Sequence, residues 1–99
     1  MIYVLRMDHT VPDYELWKRD AFDRDPIGRA ANGVRRYRVL RDEADGNQVA
    51  IELEFDSRAE AEAFAGELRR MWAGARHRFG WHELPRTQLL ELAATGEYA

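Results

Sequence analysis

The sequence predicts an α+β fold with the element order strand, helix, strand, strand, helix, strand. Three observations carry this prediction: polar and apolar residues alternate over 48–55, a capped amphipathic segment begins at Ser57, and a turn-forming segment fills 42–47. Alternation with a period of two is typical of a half-buried strand, whereas apolar residues three and four positions apart are typical of a helix. The three signals together place a hairpin directly before a long helix.

The first strand is predicted over 2–7, where β-branched and aromatic residues concentrate and Tyr3, Leu5 and Met7 share a face. The segment 8–10 is expected to end it. A helix should then begin near Asp13, with Leu16 pointing away from an inner face formed by Tyr14, Trp17, Lys18 and Ala21, with Phe22 at its edge. Pro26 and Gly28 end this helix, because the residue before a proline avoids helical angles.

The hairpin pairs two strands, 34–41 and 48–55, across the turn-forming segment. In the later strand the apolar face holds Val49, Ile51, Leu53 and Phe55. In the earlier strand Tyr37 and Val39 should share one face and Val34, Arg36, Arg38 and Leu40 the other. This arrangement predicts cross-strand pairs between arginines and the glutamates Glu52 and Glu54.

The second helix begins with a capping box, Ser57 to Glu60. Its apolar stripe holds Ala61, Phe64, Ala65, Leu68, Met71, Trp72 and Ala75, and its C-terminal end holds Arg69, Arg70, Arg76, His77 and Arg78 before Gly80. A last strand is predicted over 87–92, with Gln88, Leu90 and Leu92 on one face, followed by a tail without regular structure. This order is the split β-α-β, or ferredoxin-like, arrangement of a four-stranded antiparallel sheet.

Length and composition bound the possible functions. A chain of 99 residues predicts one domain, 1–99, and a net charge of -3 argues against nucleic acid as a partner. Without cysteine there is neither a disulfide nor a thiolate metal site, so a reducing cytoplasm is the expected compartment. The N-terminal residues form too short an apolar run for a signal peptide or a membrane span.

Two helices cover only one face of a four-stranded sheet, so the second face predicts a partner. By alternation this second face is expected to mix apolar and charged side chains: Ile2, Val4, Arg6, Val34, Arg36, Arg38, Leu40, Ala50, Glu52, Glu54 and Leu89. This mixture is too apolar for full solvation and too charged for a dry core. We therefore expect a homodimer that closes a barrel with a partly wet interior.

The chain resembles the dimeric α+β barrel superfamily, and within it the antibiotic biosynthesis monooxygenase-like proteins. The resemblance rests on the junction Phe55-Asp56-Ser57, followed by Glu60, Ala61 and Phe64, together with Trp17, Phe22 and Gly33. It implies cofactor-independent oxygenation of polycyclic aromatic or polyketide-like substrates, or a related cyclisation, haem degradation or isomerisation. If the chain is an oxygenase, the resemblance implies that the deprotonated substrate itself activates oxygen.

Candidate site residues fall into three groups. His77 and His82 are the candidate general acid or base, since histidine titrates near neutral pH. An aromatic pocket for a small ligand is predicted from Tyr3, Tyr37, Trp72, Phe79 and Trp81, although these residues also suit a core. Arg36 and Arg38 are candidates to orient an anionic ligand, or they pair with the glutamates of the neighbouring strand.

Two other functions were weighed. The haem-degrading branch places an asparagine on the first strand, which is missing here, although Trp72 and His77 lie in the matching region. Two histidines five positions apart do not predict a metal site, so neither metal nor cofactor is expected. A noncatalytic dimeric ligand-binding or interaction module is the alternative to an enzyme, with Leu16 and Tyr98 as its possible contacts.

Overall fold

The computed structural model describes residues 1–79 and 84–99, with the backbone alone for 77–79. Its strands are β1 (Tyr3–Thr10), β2 (Val34–Arg41), β3 (Gln48–Phe55) and β4 (Arg86–Glu91), and its α-helices are α1 (Tyr14–Trp17) and α2 (Arg58–Phe79). A π-helical segment, Lys18–Phe22, follows α1, and a short 3-10 helix, Ala30–Asn32, precedes β2. The strands form one antiparallel sheet in the order β2-β3-β1-β4. This topology confirms the predicted ferredoxin-like α+β fold.

The core lies between the helices and one face of the sheet. Helix α2 crosses β1, β3 and β4, and alternate residues of the central strands point toward it. The core consists of Leu5, Met7, Val11, Phe22, Val34, Val49, Ile51, Leu53, Phe55, Ala61, Phe64, Ala65, Leu68 and Trp72. The apolar face predicted for β3 is therefore buried along its whole length, and so is most of the predicted helical stripe.

The hairpin strands β2 and β3 have the bounds that the sequence predicted, whereas the first and last strands of the chain, β1 and β4, differ. Strand β1 continues through 8–10, because its backbone pairs with β3 as far as Thr10 opposite Gln48. Strand β4 runs one residue earlier than predicted, from Arg86 opposite Asp8. Backbone pairing with a neighbour thus extends a strand through residues whose composition favours a turn.

The sheet face away from the helices, here called the open face, carries Val4, Arg6 and Asp8 of β1, Arg36, Arg38 and Leu40 of β2, Ala50, Glu52 and Glu54 of β3, and Arg86, Gln88 and Leu90 of β4. Two predicted members were wrong. Val34 lies opposite Phe55 and is buried, because a bulge between Val34 and Arg36 reverses the alternation. Leu89 lies opposite Leu5 and therefore points to the helix side, so that Leu90 takes its place.

The first helix is not the single regular helix that the sequence predicted. The Asp13 side chain caps it by accepting from Leu16 N at 3.1 Å, and the four-residue α1 then widens into a π-helical segment, Lys18–Phe22. Asp23 N donates to Lys18 O at 2.8 Å to close the π turn. Leu16 is exposed, as predicted.

The predicted cap of the second helix and the predicted irregular tail are also present. Ser57 Oγ accepts from Glu60 N at 3.2 Å, which is one half of the predicted capping box. The segment 93–99 forms neither helix nor strand and is exposed. None of the helices within the described ranges is both long enough and apolar enough to cross a membrane.

Candidate functional site

Four aromatic rings form a continuous chain on the helix side of β2, here called the aromatic cluster: Tyr14, Trp17, Phe22 and Tyr37. The ring centroids of Tyr14 and Trp17 lie 5.9 Å apart, and those of Trp17 and Phe22 lie 5.4 Å apart. Phe22 meets Tyr37 edge-on at 5.0 Å. These spacings fall within the favourable range for aromatic pairs. Tyr14 and Trp17 are partly buried, Phe22 is buried and Tyr37 is 47% exposed, so the chain of rings reaches the surface at Tyr37.

The π-helical segment places Phe22 in this cluster. In a regular α-helix, residues five positions apart point roughly 140° away from each other around the axis. The wider turn between Lys18 and Asp23 places residues five positions apart on nearly the same side of the helix, so that the rings of Trp17 and Phe22 are in contact. Single π turns inside helices are frequent at functional sites.

Three cations lie over rings of the aromatic cluster. The guanidinium carbon of Arg29 lies 3.9 Å from the Phe22 centroid and 5.5 Å from that of Tyr37. Arg41 lies 4.0 Å over Tyr14, and the Lys18 ammonium lies 5.4 Å from the Phe22 centroid. Each contact is attractive, because a ring face carries negative charge. The cluster is therefore both aromatic and cationic.

Asp25 fixes the position of Arg29. Both carboxylate oxygens of Asp25 accept from the backbone N of Arg29, at 2.9 and 3.1 Å. Asp25 itself has a φ of 50°, in the left-handed region that non-glycine residues seldom adopt. Lys18 is held by Asp23, whose Oδ1 lies 2.5 Å from its Nζ, and this hydrogen bond raises the pKa of Lys18.

The open face carries the predicted arginine–glutamate pairs. Glu52 accepts from Arg38 at 2.8 and 3.1 Å through one oxygen and from Arg6 at 3.0 Å through the other. Arg36 pairs with Glu54 at 2.9 Å. The sequence predicted the pairs between β2 and β3 but missed Arg6, because the register of β1 against β3 was not known. Arg36 and Arg38 are thus occupied by carboxylates on the side of the sheet opposite Tyr37.

Comparisons with known proteins agree with this fold. A protein from Shewanella loihica PV-4, for which a monooxygenase activity has been suggested, matches over 95% of each chain with a TM-score of 0.53 and 16% sequence identity. The chain shares that protein's fold. No protein-family model matches the sequence, and no curated protein matches it. At this level of identity the likeness concerns the fold alone.

The structure distributes the predicted site residues over three places. Tyr37 belongs to the aromatic cluster, Arg36 and Arg38 to the open face, and Trp72, which is 8% exposed, to the core. The side chains of His77 and Phe79, and the whole of Trp81 and His82, lie outside the described residues. Their roles stay predictions. Sequence reasoning placed Trp17 on the inner face of the first helix and Phe22 at its edge. It missed Arg29, because Arg29 belongs to no helical or strand pattern in the sequence.

Three remaining features bear on chemistry. Desolvation lowers the pKa of His9, which lies on the helix side of β1 opposite Val49. Among the side chains that the structure describes, those of 1–76 and 84–99, no three of the metal-binding types converge on one point. An open groove of about 510 Å³ lies beside α2 next to Ala31 and Asn32, and it is lined by Glu60, Glu62, Glu67 and Arg70 among others. That groove contains none of the residues predicted for the site.

Proposed function

We propose that this protein binds a flat aromatic small molecule on the aromatic cluster and acts on it as a cofactor-independent monooxygenase or a related cyclase. The observation that carries the proposal is the chain of four rings that runs from Tyr14 and Trp17 through the buried Phe22 to the half-exposed Tyr37. A planar ligand can extend this chain by stacking on the exposed ring of Tyr37, with the buried ring of Phe22 behind it. The fold shared with the suggested monooxygenase supports the reaction class.

The proposed reaction begins with removal of a proton from an electron-rich carbon acid by His77 or His82 acting as general base. The resulting carbanion reduces molecular oxygen. One oxygen atom enters the substrate as a carbonyl, and the other leaves as water with the two hydrogens of the original carbon. This sequence needs no metal or organic cofactor, because the substrate supplies both electron pairs.

We also propose that two copies pair through their open faces to form a dimeric α+β barrel. The open face combines apolar side chains, such as Val4, Leu40 and Leu90, with the ion pairs around Glu52. A second copy would shield the apolar part, while the paired charges would avoid the cost of burying lone ions. Sedimentation at micromolar concentration tests this pairing: twice 11.6 kDa supports it and 11.6 kDa alone refutes it.

Ligand binding is tested by calorimetry with 1,8-dihydroxyanthraquinone, a flat probe that resembles an oxygenated product. Tyr37→Leu removes the half-exposed ring, and loss of one ring contact of about 0.5–1.5 kcal/mol predicts roughly two- to tenfold weaker binding. Tyr98→Leu is the matched control, because it makes the same substitution at a fully exposed tyrosine in the tail. Equal affinities of the two variants and the parent protein would refute binding on the aromatic cluster.

Catalysis is tested by oxygen uptake with an anthrone, a carbon acid of the proposed kind. We expect uptake to accompany formation of the anthraquinone and to fall at least tenfold in either His77→Gln or His82→Gln. His9→Gln serves as the control, since His9 lies on β1 and has no proposed role. Unchanged uptake in both His77→Gln and His82→Gln refutes the assignment of the general base.

The alternative is a noncatalytic dimeric module that binds a small ligand or a partner. Two exposed side chains favour it: Leu16 on the outer face of α1, and Tyr98 in the tail. The two experiments above separate the alternatives. Binding of the anthraquinone without oxygen uptake from the anthrone supports the module, whereas both together support the enzyme.

A further inference from the structure

Arg29 is the least exposed of the arginines that form ion pairs within the described residues. Its side chain is 17% exposed, whereas those of Arg19, Arg35, Arg36, Arg38, Arg58 and Arg70 are between 66% and 74% exposed. The arginines in that list are solvated on a surface. Arg29 instead lies against the rings of Phe22 and Tyr37, so its charge has lost much of its contact with water.

The guanidinium of Arg29 donates no hydrogen bond to any residue that the structure describes. The carboxylate of Asp25 is directed at the backbone N–H of Arg29, and its Oδ1 lies 3.7 Å from Nη1, beyond hydrogen-bond distance. Arginine has five N–H donors, and a poorly solvated donor without an acceptor is costly. No unpartnered side-chain nitrogen is fully sealed from solvent among the described residues, so these donors remain accessible.

The two other cations of the cluster are already engaged. Lys18 Nζ donates to Asp23 Oδ1 at 2.5 Å, and Arg41 Nε donates to Gly46 O at 2.9 Å. Arg29 is therefore the cation whose donors are least satisfied, and it lies beside the ring on which a ligand would stack. The close contact with the Phe22 ring, 3.9 Å from centroid to guanidinium carbon, also restricts the position of the guanidinium, whose planar donor fork suits an oxyanion.

We infer that Arg29 binds an oxyanion carried by the aromatic ligand, so that the ligand class is a planar aromatic carboxylate or an ionised phenol. This inference rests on the proposed function, since it assumes a flat ligand on the aromatic cluster. The ligand ring stacks on Tyr37 while its anionic oxygen accepts from the guanidinium. A charge-assisted hydrogen bond of this kind is roughly twice as strong as one between neutral groups.

The test compares two probes of the same shape, 2-naphthoate and the neutral 2-naphthamide, by calorimetry at pH 7. We expect the naphthoate to bind at least tenfold more tightly. Arg29→Met, which keeps an apolar side chain over Phe22, should remove this preference, because it should weaken binding of the carboxylate much more than binding of the neutral amide. Arg58→Met is the control, because Arg58 is an exposed arginine of α2 paired with Glu62. Arg29→Lys provides a second variant with the charge kept and the planar donors lost.

A third probe, 7-hydroxycoumarin, separates a phenolate from a carboxylate. Its phenol ionises near neutral pH, so recognition of a phenolate predicts affinity that rises with pH in the parent protein and stays flat in Arg29→Met. Equal binding of naphthoate and naphthamide overturns the inference and leaves the proposed aromatic site intact. A preference that persists in both Arg29 variants also overturns it. If no probe binds, the proposed aromatic site is refuted and the inference with it.

Discussion

Replacing Leu90 with glutamate tests the proposed pairing of two open faces. Leu90 lies on edge strand β4 directly opposite Val4 on the open face, and it is 40% exposed. Leu89 is its natural control, since it is 36% exposed but points to the helix side opposite Leu5. The two leucines are neighbours in the chain with nearly equal exposure, and they differ in the face that they occupy.

The expected effect follows from the apolar surface that pairing would cover. Complete burial of a leucine side chain contributes about 1.5–3 kcal/mol, so covering two fifths of it contributes roughly 0.6–1.2 kcal/mol. A twofold interface contains the residue twice, which gives about 1–2.5 kcal/mol for the dimer. That loss corresponds to roughly a tenfold to fiftyfold rise in the dimer Kd, and two buried carboxylates add to it.

Sedimentation equilibrium over a series of loading concentrations measures the dimer Kd of the parent protein, Leu90→Glu and Leu89→Glu. We expect a shift of at least tenfold for Leu90→Glu and less than threefold for Leu89→Glu. Circular dichroism should give the same secondary structure for all three proteins. Equal shifts in both variants, or none in either, would show that the open face is not the contact surface.

Two further predictions concern the stability of the protomer. Gly33→Ala should lower the free energy of unfolding by about 1–2 kcal/mol, because Gly33 has a φ of 95° that a residue with a Cβ atom rarely adopts. Gly66→Ala in α2, where the added methyl group meets open space, should raise the free energy of unfolding by up to about 1 kcal/mol. Urea denaturation measures both changes, and an unchanged stability of Gly33→Ala would contradict the strain argument. Burial lowers the pKa of His9 in the folded protein below its value of about 6.5 in the unfolded chain. Below about pH 6.5 the unfolded state therefore binds a proton more readily than the folded state, and the free energy of unfolding falls as the pH drops. His9→Gln should flatten this dependence between about pH 7 and pH 5, and an unchanged slope in urea titrations would refute the role of His9.

The sequence predicted the parts of the fold that depend on local pattern. Strands β2 and β3 have the predicted bounds, because strict alternation and the intervening turn residues are both local signals. The face of Val34 was wrong, because a bulge depends on pairing with Phe55, which is 21 residues away. Leu89 and Leu90 were exchanged for a related reason, since two adjacent leucines give alternation no way to choose between faces.

The candidate site was predicted only in part. Spacing placed the aromatic residues of the first helix on its inner face, and alternation indicated the arginine–glutamate pairs. Tyr37 was not joined to the first helix but was grouped instead with Trp72 and other aromatic residues near the second helix. Arg29 lies in a segment between helix and strand, and its position depends on the left-handed Asp25 and on the ring of Phe22. Such a contact follows from tertiary structure, so neither periodicity nor composition indicates it.

The π-helical segment makes the aromatic cluster depend on chain length as well as on residue identity. One extra residue is accommodated between Lys18 and Phe22, next to the exposed Arg19. Deleting that single residue would make Phe22 the fourth residue after Trp17, and a regular α-helix keeps residues four apart on one face. The π turn therefore compensates for the extra residue: in a regular helix of the present length Phe22 would point about 140° away from Trp17, and the stacking surface would be lost although every aromatic side chain remained.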